Sequence, residues 1–428
     1  MSNNQNEKLQ VALHKVEMYE GLFEANAAVT SSLDKDEVLN LVMTKAQELL
    51  NSEAASIFLL DLETDELVLA VSTNLAPNAV AEIRFSKGLG VSGWVAENGL
   101  PVITADISKD PRFYAGVQDS TGFHTSSYMC VPLMTNDKII GTAQVLNRRD
   151  GGTFTKDELH IMEGFARQAT IAIENARLHE EELEKKRMEE ELELAHKIQL
   201  DLLPPGPPKI DGYDISGVSF PSRWVGGDYY DFVPFGENEL NLIIADVCGK
   251  GIPAALMMSS IQAVLHALAG QKLPLNDVVR NLNLYLCRNS PQDKFATCFT
   301  GVLNSENHRF SYINCGHNHP FLFRKGGRIE PLREGGLILG VIEETDFSAG
   351  SVQIEPGDLL ILYTDGVTEV HNPEREMYGE HRLVRAINEA RSMNTEDIIK
   401  KIYDEINEFA YKGIMEDDVT MVCLKREE

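Results

Sequence analysis

One stretch of the sequence constrains the fold more than any other, because it favours a single long helix with an abrupt end. Residues 178–203, LHEEELEKKRMEEELELAHKIQLDLL, contain neither glycine nor proline, and PPGPP follows at once. Proline lacks the amide hydrogen that continues a helix and clashes with the preceding turn. The stretch therefore predicts a long helix that ends at the prolines and separates one folded region from another.

The apolar residues of this helix follow a heptad pattern. Leu178, Leu192 and Gln199 occupy one heptad position, and Met188, Ala195 and Leu202 occupy another. The two positions are separated alternately by three and four residues, as the core positions of a coiled coil must be. Lys185 and Gln199 weaken the seam, because a charged and a polar side chain occupy core positions. Two interpretations remain open: a single solvated connecting helix, or a short parallel coiled coil that joins two chains as a homodimer.

The regions on either side of this helix differ in pattern. Residues 18–178, after a helical lead-in at 1–17, alternate strand-like hairpins with helix-like segments, and the hairpin turns are predicted at Thr64–Asp65 and Asn136–Asp137. Beyond the linker at 179–203, residues 204–428 contain runs of strands, among them ELNLIIADV, and runs of amphipathic helices rather than strict alternation. Such runs favour an α+β fold over a doubly wound sheet.

The charge of the chain limits its partners. With 39 Lys and Arg against 66 Asp and Glu, the 428 residues carry a formal net charge of −27, which repels nucleic acids and anionic membranes. The six cysteines are widely spread without a CxxC pair, and the sequence shows neither a signal peptide nor an apolar run of membrane length. We therefore expect a reduced, cytoplasmic protein that binds neither nucleic acid nor membrane.

In the last region, apolar strands repeatedly run into an aspartate with a glycine close by. The pattern places Asp246 in LNLIIADVCGKG, Asp365 in DLLILYTDGVTE and Asp228 in GGDYYDF, while Asp417 and Asp418 precede the strand in MEDDVTMVCL. Singly, each aspartate is best interpreted as a turn residue. Together, carboxylates at several strand ends can converge on one point, and such oxygen donors are the ligands that hard divalent cations prefer.

These motifs also carry a family resemblance. In order, WVGGDYYDF, ADVCGKGIPAALMMS, NCGHNHPFLF, YTDGVTEVHN and DDVTMVCL are similar to the motifs of the metal-dependent Ser/Thr protein phosphatases (PPM), in particular the bacterial SpoIIE/RsbU-type branch. The resemblance covers residues 204–428. It implies an αββα β-sandwich and hydrolysis of phosphoserine or phosphothreonine by a water molecule activated between two Mn²⁺ or Mg²⁺ ions. It also implies an anti-sigma-factor antagonist (STAS) protein as the substrate, in a bacterial partner-switching pathway.

The resemblance further implies the site residues. The motifs match metal ligands at Asp228, at Asp246 as the bridging carboxylate, at the backbone carbonyl of Val247, at Asp365 and at Asp417. Asp418 takes a supporting role, and Asp231 is left outside the ligand set. His317 and His319 in CGHNHP are interpreted as structural residues of a tight turn, because the family does not use them as ligands.

Two positions near these ligands concern the phosphate chemistry. Cys248 stands where distant relatives have the histidine proposed as general acid, so no general acid is identified. Arg223, five residues before Asp228, has the spacing of the arginine that grips phosphate in eukaryotic relatives; a solvated edge-strand arginine is the competing interpretation. A cysteine phosphatase is excluded, because Ala254 stands where Cys-x5-Arg would require an arginine after Cys248.

Residues 18–178 resemble a GAF domain, an antiparallel sheet with helices, in GLGVSGWVAENGLPVITADISKDPRF, MCVPLMTNDKIIGTAQVLNRRDGGTFTKDE and FARQATIAIENARL. Thr155 and Glu158 there have the spacing of a helix capping box. The motif of cyclic-nucleotide-binding members is approximated, with Arg in place of Lys, by Asn147, Arg148, Phe154, Asp157 and Glu158. That motif can also be a structural salt bridge, so the ligand stays open: a cyclic nucleotide, another small molecule, or none.

The order of the regions suggests a signalling enzyme composed of a sensor, a dimerising helix and an effector phosphatase. We expect a change in the sensor to alter the register of the helix and thereby the metal site. The alternative is a non-catalytic signalling scaffold that uses the phosphatase fold only to bind partners. Retention of all four carboxylate positions counts against the scaffold.

Overall fold

The computed structural model describes residues 34–428 apart from 76–82, 117–121, 137, 272, 292 and 412–414, and before residue 34 only positions 16, 20, 21, 23–25 and 27. The predicted lead-in at 1–17 therefore lies outside the described residues except for Val16. The chain divides into two compact units, residues 1–186 and 187–428, and the division falls within the predicted linker.

The first unit is built on a six-stranded antiparallel sheet. Its strands, in the order β3-β2-β1-β6-β5-β4, are β1 (Ser52–Asp61), β2 (Glu66–Ser72), β3 (Arg84–Ser86), β4 (Val102–Thr104), β5 (Tyr128–Thr135) and β6 (Lys138–Arg148). Two predicted hairpin turns join β1 to β2 and β5 to β6, where Asp65 and Asn136 have φ values of 54° and 45°. Asp and Asn tolerate this left-handed conformation better than most residues. Asp137, the other residue of the second predicted turn, lies outside the described residues.

Helices cover the sheet of the first unit. They are α1 (Lys35–Leu49), α2 (Gly90–Asn98) and the first part of α3 (Lys156–Leu202), with a 3₁₀ turn at Ile107–Lys109. Apolar residues of α1 and α3 pack with the sheet in one core that includes Val38, Met43, Ile57, Val145, Met162 and Phe165. The predicted capping box is confirmed: Thr155 N–H donates to Glu158 Oε2 at 2.7 Å, and Glu158 N–H donates to Thr155 Oγ1 at 3.3 Å.

The helix α3 is a single element of 47 residues, so the last helix of the first unit and the predicted linker are continuous. Its end at Leu202, next to the prolines, confirms the predicted abrupt stop. Neither open interpretation describes this end of the helix. Gln199 is buried and hydrogen-bonds Gly226 of the second unit, while Leu192 lines a groove with Trp224. The helix belongs to the second unit from Arg187 onward, so Leu192 and Gln199 of the predicted seam make these contacts within that unit.

The second unit contains two β-sheets. The first has the order β14-β11-β10-β9-β8, with β15 also paired to β11, and comprises β8 (Tyr229–Gly236), β9 (Glu239–Val247), β10 (Ala296–Asn304), β11 (Arg309–Cys315), β14 (Gly335–Gly336) and β15 (Gly350–Gln353). The second has the order β13-β12-β16-β17-β7 and comprises β7 (Tyr213–Phe220), β12 (Phe321–Phe323), β13 (Ile329–Pro331), β16 (Leu359–Tyr363) and β17 (Val419–Arg426).

Helices flank both sheets of the second unit. They are α4 (Ile252–Ala269), α5 (Leu275–Asn289), the short α6 (Asp365–Thr368), α7 (Gly379–Ala390) and α8 (Thr395–Phe409). A central core between the sheets includes Tyr230, Phe232, Leu242, Phe299, Leu360 and Val422. A second core joins α4 and α5 to the first sheet, and a third joins α7 and α8 to the second sheet. The α+β class and the αββα layering are therefore confirmed.

The helix α4 has an unusual composition. Among the described residues it is the one helix long and apolar enough to match a membrane span by length and composition. Its Met258 and Ile261 are buried in the core against the first sheet.

Candidate active site and N-terminal cavity

The predicted metal ligands lie at the ends of four strands. Asp228 immediately precedes β8 and Asp246 is the penultimate residue of β9; because these strands are antiparallel neighbours, both residues lie at one end of the first sheet. Asp365 follows β16 and Asp417 precedes β17, which are also antiparallel neighbours. Since β8 packs against β17 across the sandwich, the four positions share one edge.

Three of these carboxylates have pKa values raised by burial and by one another's charge. Burial, and then the charges of Asp365 and Asp417, raise the pKa of Asp246 to about 7. Burial, and then the charge of Asp246, raise the pKa of Asp228 well above its ordinary value. Burial and neighbouring carboxylates also raise the pKa of Asp365. Carboxylates that destabilise one another's charge in this way are stabilised by a divalent cation, which prefers oxygen ligands.

Carboxylate and carbonyl oxygens are the ligands that a hard cation prefers. The side chains of the predicted ligands, however, are not arranged around a common metal position. Within the described part of the chain, no three His, Cys, Asp or Glu side chains are arranged to hold a metal ion. The space beside the Val247 carbonyl oxygen is open because residue 227 is glycine: a Cβ at that position would lie 2.8 Å from the oxygen. The ligand assignments therefore stay predictions that the shared edge and the raised pKa values support.

The two glycines of GGDYYDF permit close approach rather than a left-handed turn. Neither Gly226 nor Gly227 has a positive φ, and both are buried. A Cβ on Gly226 would lie 2.2 Å from Asp418 Oδ2, closer than atoms can approach. The glycines are needed because the loop passes directly against the carboxylates and the β9 carbonyl.

Asp418 holds the loop that leads into β8. Its Oδ1 accepts hydrogen bonds from the Ser222 N–H at 2.7 Å and the Ser222 hydroxyl at 3.0 Å. Its Oδ2 accepts from the Gly227 N–H at 2.8 Å. This buried carboxylate fixes both ends of residues 222–227, which is the supporting role the sequence implied.

The aspartates of GGDYYDF have different partners. Asp228 Oδ2 accepts a hydrogen bond from the Thr364 hydroxyl at 2.8 Å, next to the second sheet. Asp231 Oδ2 accepts from the Tyr229 hydroxyl at 2.5 Å and lies 2.6 Å from His266 Nε2, on the side of α4. Because side chains alternate along a strand, two residues three positions apart point to opposite faces. These contacts on the side of α4 support the prediction that Asp231 lies outside the ligand set.

Arg223 and Lys250 are two cationic side chains that could act on the carboxylates or on a bound phosphate. Arg223 is exposed, lines a groove with Trp224 and His196, and has no hydrogen bond or ion pair to any other described residue. Lys250, which has no role among the residues predicted from the sequence, places its Nζ 2.9 Å from Asp417 Oδ2. The signal that could have identified Lys250 is the GKG motif, whose glycines both have positive φ.

Cys248 and His317 are held by hydrogen bonds, whereas the His319 side chain has no hydrogen bond to another residue that the structure describes. Cys248 Sγ accepts from the Phe295 N–H at 3.1 Å. His317 Nδ1 lies 2.7 Å from the Thr297 hydroxyl, and burial lowers the pKa of His317 to about 4. His319 is exposed.

The N-terminal unit contains a cavity of about 100 Å³. Its wall is largely apolar and includes Phe58, Leu69, Phe85, Phe113, Tyr114 and Phe123. The floor is polar: the Ser92 hydroxyl lies 2.7 Å from the Tyr128 hydroxyl and 2.6 Å from Gln144 Oε1, and Gln144 Nε2 donates to Ser56 Oγ at 2.9 Å. Among the described residues that line the cavity, none is charged.

The approximate cyclic-nucleotide motif forms a structural network away from this cavity. Arg148 pairs with Glu158 and, at 2.9 Å, with Asp150. Asn147 Nδ2 donates to Glu53 Oε2 at 2.7 Å, and Phe154 is buried in the core. None of the five motif residues is among the described residues that line the cavity. The salt-bridge interpretation of this motif is therefore the one that the contacts support.

Fold and site together define a two-domain chain: a GAF-type domain and a β-sandwich of the metal-dependent phosphatase class. The family model for stage II sporulation protein E (SpoIIE) matches residues 236–427, and the GAF domain model matches residues 34–173. The SpoIIE match contains Asp246, Asp365 and Asp417, whereas Asp228 lies just before it.

Individual relatives agree with these matches. Phosphoserine phosphatase RsbU of Bacillus subtilis is 33% identical over 240 residues, which are 55% of this chain and 70% of RsbU. Protein IcfG of Synechocystis is 32% identical over 265 residues, which are 55% of this chain but only 41% of IcfG. The SiaA-PP2C domain of Pseudomonas aeruginosa has a TM-score of 0.50 at 16% identity, covering 56% of this chain and 98% of that domain, and shows the shared fold. The chain belongs to the SpoIIE/RsbU family of PPM phosphatases, with a GAF domain before the phosphatase domain.

Proposed function

We propose that the chain hydrolyses phosphoserine or phosphothreonine in a partner protein, using Mn²⁺ or Mg²⁺. The observation that carries this proposal is the sharing of one sandwich edge by Asp228, Asp246, Asp365 and Asp417, with the pKa of Asp246 raised to about 7 by burial and its neighbours. A group of carboxylates under such repulsion suits divalent cations better than a merely structural role.

Hydrogen bonds hold Asp228 and the loop before it in place. Two divalent ions would be held by Asp228, Asp246, Asp365, Asp417 and the Val247 carbonyl. Such ions, when bound, generate a nucleophile from water and neutralise charge on the phosphoryl group. The Thr364 hydroxyl orients Asp228, and Asp418 orients the loop before it. No protein nucleophile is required for this chemistry.

The family supports a proposal for the substrate. RsbU of Bacillus subtilis is named a phosphoserine phosphatase, and the family resemblance supports a phosphorylated STAS protein as the substrate of this chain. Arg223 is proposed as the side chain that grips the phosphoryl group, because it is exposed beside the loop that leads to Asp228. An Arg223→Ala variant should raise KM for a phosphoprotein; an unchanged KM would contradict the clamp.

The activity is tested by Mn²⁺-dependent hydrolysis of p-nitrophenyl phosphate by the full chain. Asp246→Asn should abolish turnover, because it removes a charge from the ligand set while keeping the size of the side chain. Asp404→Asn, the same change on the exposed face of α8, should retain it. Turnover that persists in Asp246→Asn would contradict its role as a ligand, and absence of Mn²⁺-dependent turnover in the wild type would support the non-catalytic scaffold instead.

The N-terminal cavity supports a second proposal, that the GAF domain binds a small uncharged molecule rather than a cyclic nucleotide. A cavity of about 100 Å³ is smaller than the ~150 Å³ cavity that binds benzene, which limits the ligand to a molecule smaller than a six-membered aromatic ring. A cyclic phosphate in this cavity would lose its hydration without gaining a cation from the described lining residues. The hydroxyl and amide groups of Ser92, Tyr128 and Gln144 offer hydrogen bonds to a single polar group.

Calorimetric titration of the full chain tests this second proposal with pyrrole, a small neutral ring with one N–H donor, and cyclic GMP as probes. Pyrrole should bind, Ser92→Ala should weaken its binding, and Ser108→Ala, which changes an exposed serine outside the cavity lining, should not. Saturable binding of cyclic GMP, or absence of heat with pyrrole, would contradict it.

The exposed apolar residues of α3 support a proposal about how the chain assembles. Leu178 and Met188 are exposed on α3, and they precede Leu192 and Gln199, which contact the loop before β8. We propose that residues 178–191 pair two chains as a homodimer in the cytoplasm. Sedimentation equilibrium of wild type and a Leu178→Glu, Met188→Glu double variant tests this, since the variant should be monomeric.

A further inference from the structure

The ammonium group of Lys250 lies among the acidic residues at the edge of the sandwich. Lys250 Nζ lies 2.9 Å from Asp417 Oδ2 and also donates to the Glu416 carbonyl. The charge of Lys250 also lowers the pKa of Asp365, against the larger effects that raise it. The ammonium therefore acts on two of the four candidate ligands.

The loop between β9 and α4 is built to direct this side chain. Gly249 and Gly251, on either side of Lys250, have φ values of 93° and 76°, a left-handed conformation that L side chains rarely adopt. A Cβ on Gly249 would also lie 2.9 Å from Lys294 Nζ. The two glycines thus permit the backbone turn that sets the direction of the Lys250 side chain, three residues after Val247.

The ion pair is exposed enough to open. The side chains of Lys250 and Asp417 are 37% and 42% exposed. Exposed pairs of this kind contribute little to stability, because water solvates the separated charges nearly as well. A divalent ion with several oxygen ligands can therefore displace the ammonium from Asp417.

We propose that Lys250 competes with the divalent cation for Asp417 and so sets the metal affinity of this carboxylate. Lys250 is thus a positioning residue, which holds Asp417 until a metal ion takes its place. The inference rests on the proposed metal-dependent function, since it assumes that Asp417 is a ligand. It assigns to Lys250 a role different from that of Arg223, which contacts none of these carboxylates.

A simpler role for Lys250 predicts different behaviour. If the lysine only tethers the segment around Glu416 to the loop, its removal should lower thermal stability and leave metal affinity unchanged or weaker. If it only contributes positive charge to the surroundings, removal of any nearby lysine should tighten metal binding equally. Lys294 provides the matched comparison, because its Nζ lies beside Gly249 and pairs with no carboxylate among the described residues.

The test is a titration of the full chain with Mn²⁺, read by the electron paramagnetic resonance signal of the free ion. Lys250→Met should tighten Mn²⁺ binding about 10-fold, the size expected for removing a unit charge a few ångströms away in a partly solvated site. Lys250→Arg, which keeps the charge, and Lys294→Met should bind within about threefold of wild type by the same reasoning. Thermal denaturation verifies that all variants fold.

The outcomes separate this inference from the proposed function. Unchanged or weaker Mn²⁺ binding by Lys250→Met, or equal tightening by Lys294→Met, would overturn the competition. If wild type binds Mn²⁺ and Lys250→Met binds it more tightly but neither hydrolyses phosphoserine, the inference stands and the proposed function fails. Absence of Mn²⁺ binding in every variant would overturn both.

Discussion

Gln199, near the end of the long helix, holds both backbone groups of Gly226. Its Nε2 donates to the Gly226 carbonyl at 2.7 Å, and its Oε1 accepts from the Gly226 N–H at 3.0 Å. Gly226 is two residues before Asp228, so the helix is bonded directly to the loop that carries a predicted metal ligand. A buried amide that satisfies two backbone groups is costly to remove, because both groups lose their partners.

The first prediction concerns this contact. Gln199→Ala should lower the free energy of unfolding by about 1–3 kcal/mol, since it leaves two buried backbone groups unpaired. Phosphatase turnover should fall by roughly 10- to 100-fold, because small displacements of positioning groups are costly to catalysis. Chemical denaturation and phosphate release measure the two effects.

Lys197→Ala is the control for this prediction. Lys197 lies on the same helix and forms an exposed pair with Glu193 at 2.8 Å. Its removal should change stability and turnover little. Equal turnover of the Gln199 and Lys197 variants would show that the contact with Gly226 does not position the site.

The second prediction concerns pH. The pKa of Asp246 is raised to about 7, and metal binding requires the ionised carboxylate. Mn²⁺ affinity should therefore rise between about pH 6 and 8, with release of protons on binding. Calorimetry in two buffers of different ionisation enthalpy measures the protons released. An affinity independent of pH over this range would exclude Asp246 as a ligand with a raised pKa.

Stability without metal should have the opposite dependence on pH. Between the ordinary Asp pKa of about 4 and a folded-state pKa of about 7, the native state binds more protons than the unfolded state. The free energy of unfolding should therefore fall as pH rises through 7 in the presence of a chelator. Asp246→Asn should flatten this dependence, which thermal denaturation from pH 5 to 8 would detect.

The third prediction concerns the glycine beside Asp418. Gly226→Ala should destabilise the second unit by about 1–3 kcal/mol, as overpacking of a close contact does, because the added Cβ would lie 2.2 Å from Asp418 Oδ2. Gly270→Ala should be tolerated, since Gly270 has right-handed helical angles and open space around its Cα. Denaturant unfolding compares them, and equal stabilities would contradict the close approach.

The fourth prediction separates the two aspartates of GGDYYDF. Asp228→Asn should keep the fold and lose Mn²⁺ binding, because burial already disfavours the charge of Asp228 in the absence of metal. Asp231→Ala should retain Mn²⁺ binding but lose about 1–3 kcal/mol of stability, because it leaves the buried Tyr229 hydroxyl unpaired. The reverse pattern would assign the ligand role to Asp231.

The sequence predicted those features that depend on local pattern. The strand ELNLIIADV corresponds residue for residue to β9, and the stop of α3 at Leu202 follows from the prolines. The strand β10, ATCFTGVLN, was not recognised, because Thr and Gly interrupt its apolar pattern. Its Gly301 is explained only by tertiary packing, since a Cβ there would lie 2.2 Å from the Phe310 ring.

The features that escaped the sequence join residues far apart along the chain. Gln199 weakens a heptad pattern when seen alone, and its function becomes evident only when the helix packs against Gly226. Lys250 and Asp417 are separated by 417 − 250 = 167 positions, so no local spacing indicates their ion pair. The strand-end aspartates were recognised because each has a local signature; the GKG motif marks the position of Lys250 but not its partner Asp417, and nothing local marks the contact of Gln199 with Gly226.

The most direct test of the account is phosphate release from a serine-phosphorylated peptide by the full chain, measured across a titration with Mn²⁺. We predict no release in chelator, release that rises with Mn²⁺ occupancy, loss of release in Asp246→Asn, and retention in Asp404→Asn. Release that is independent of the metal, or that persists in Asp246→Asn, would contradict the claim that the aspartates at the sandwich edge form a phosphatase metal centre.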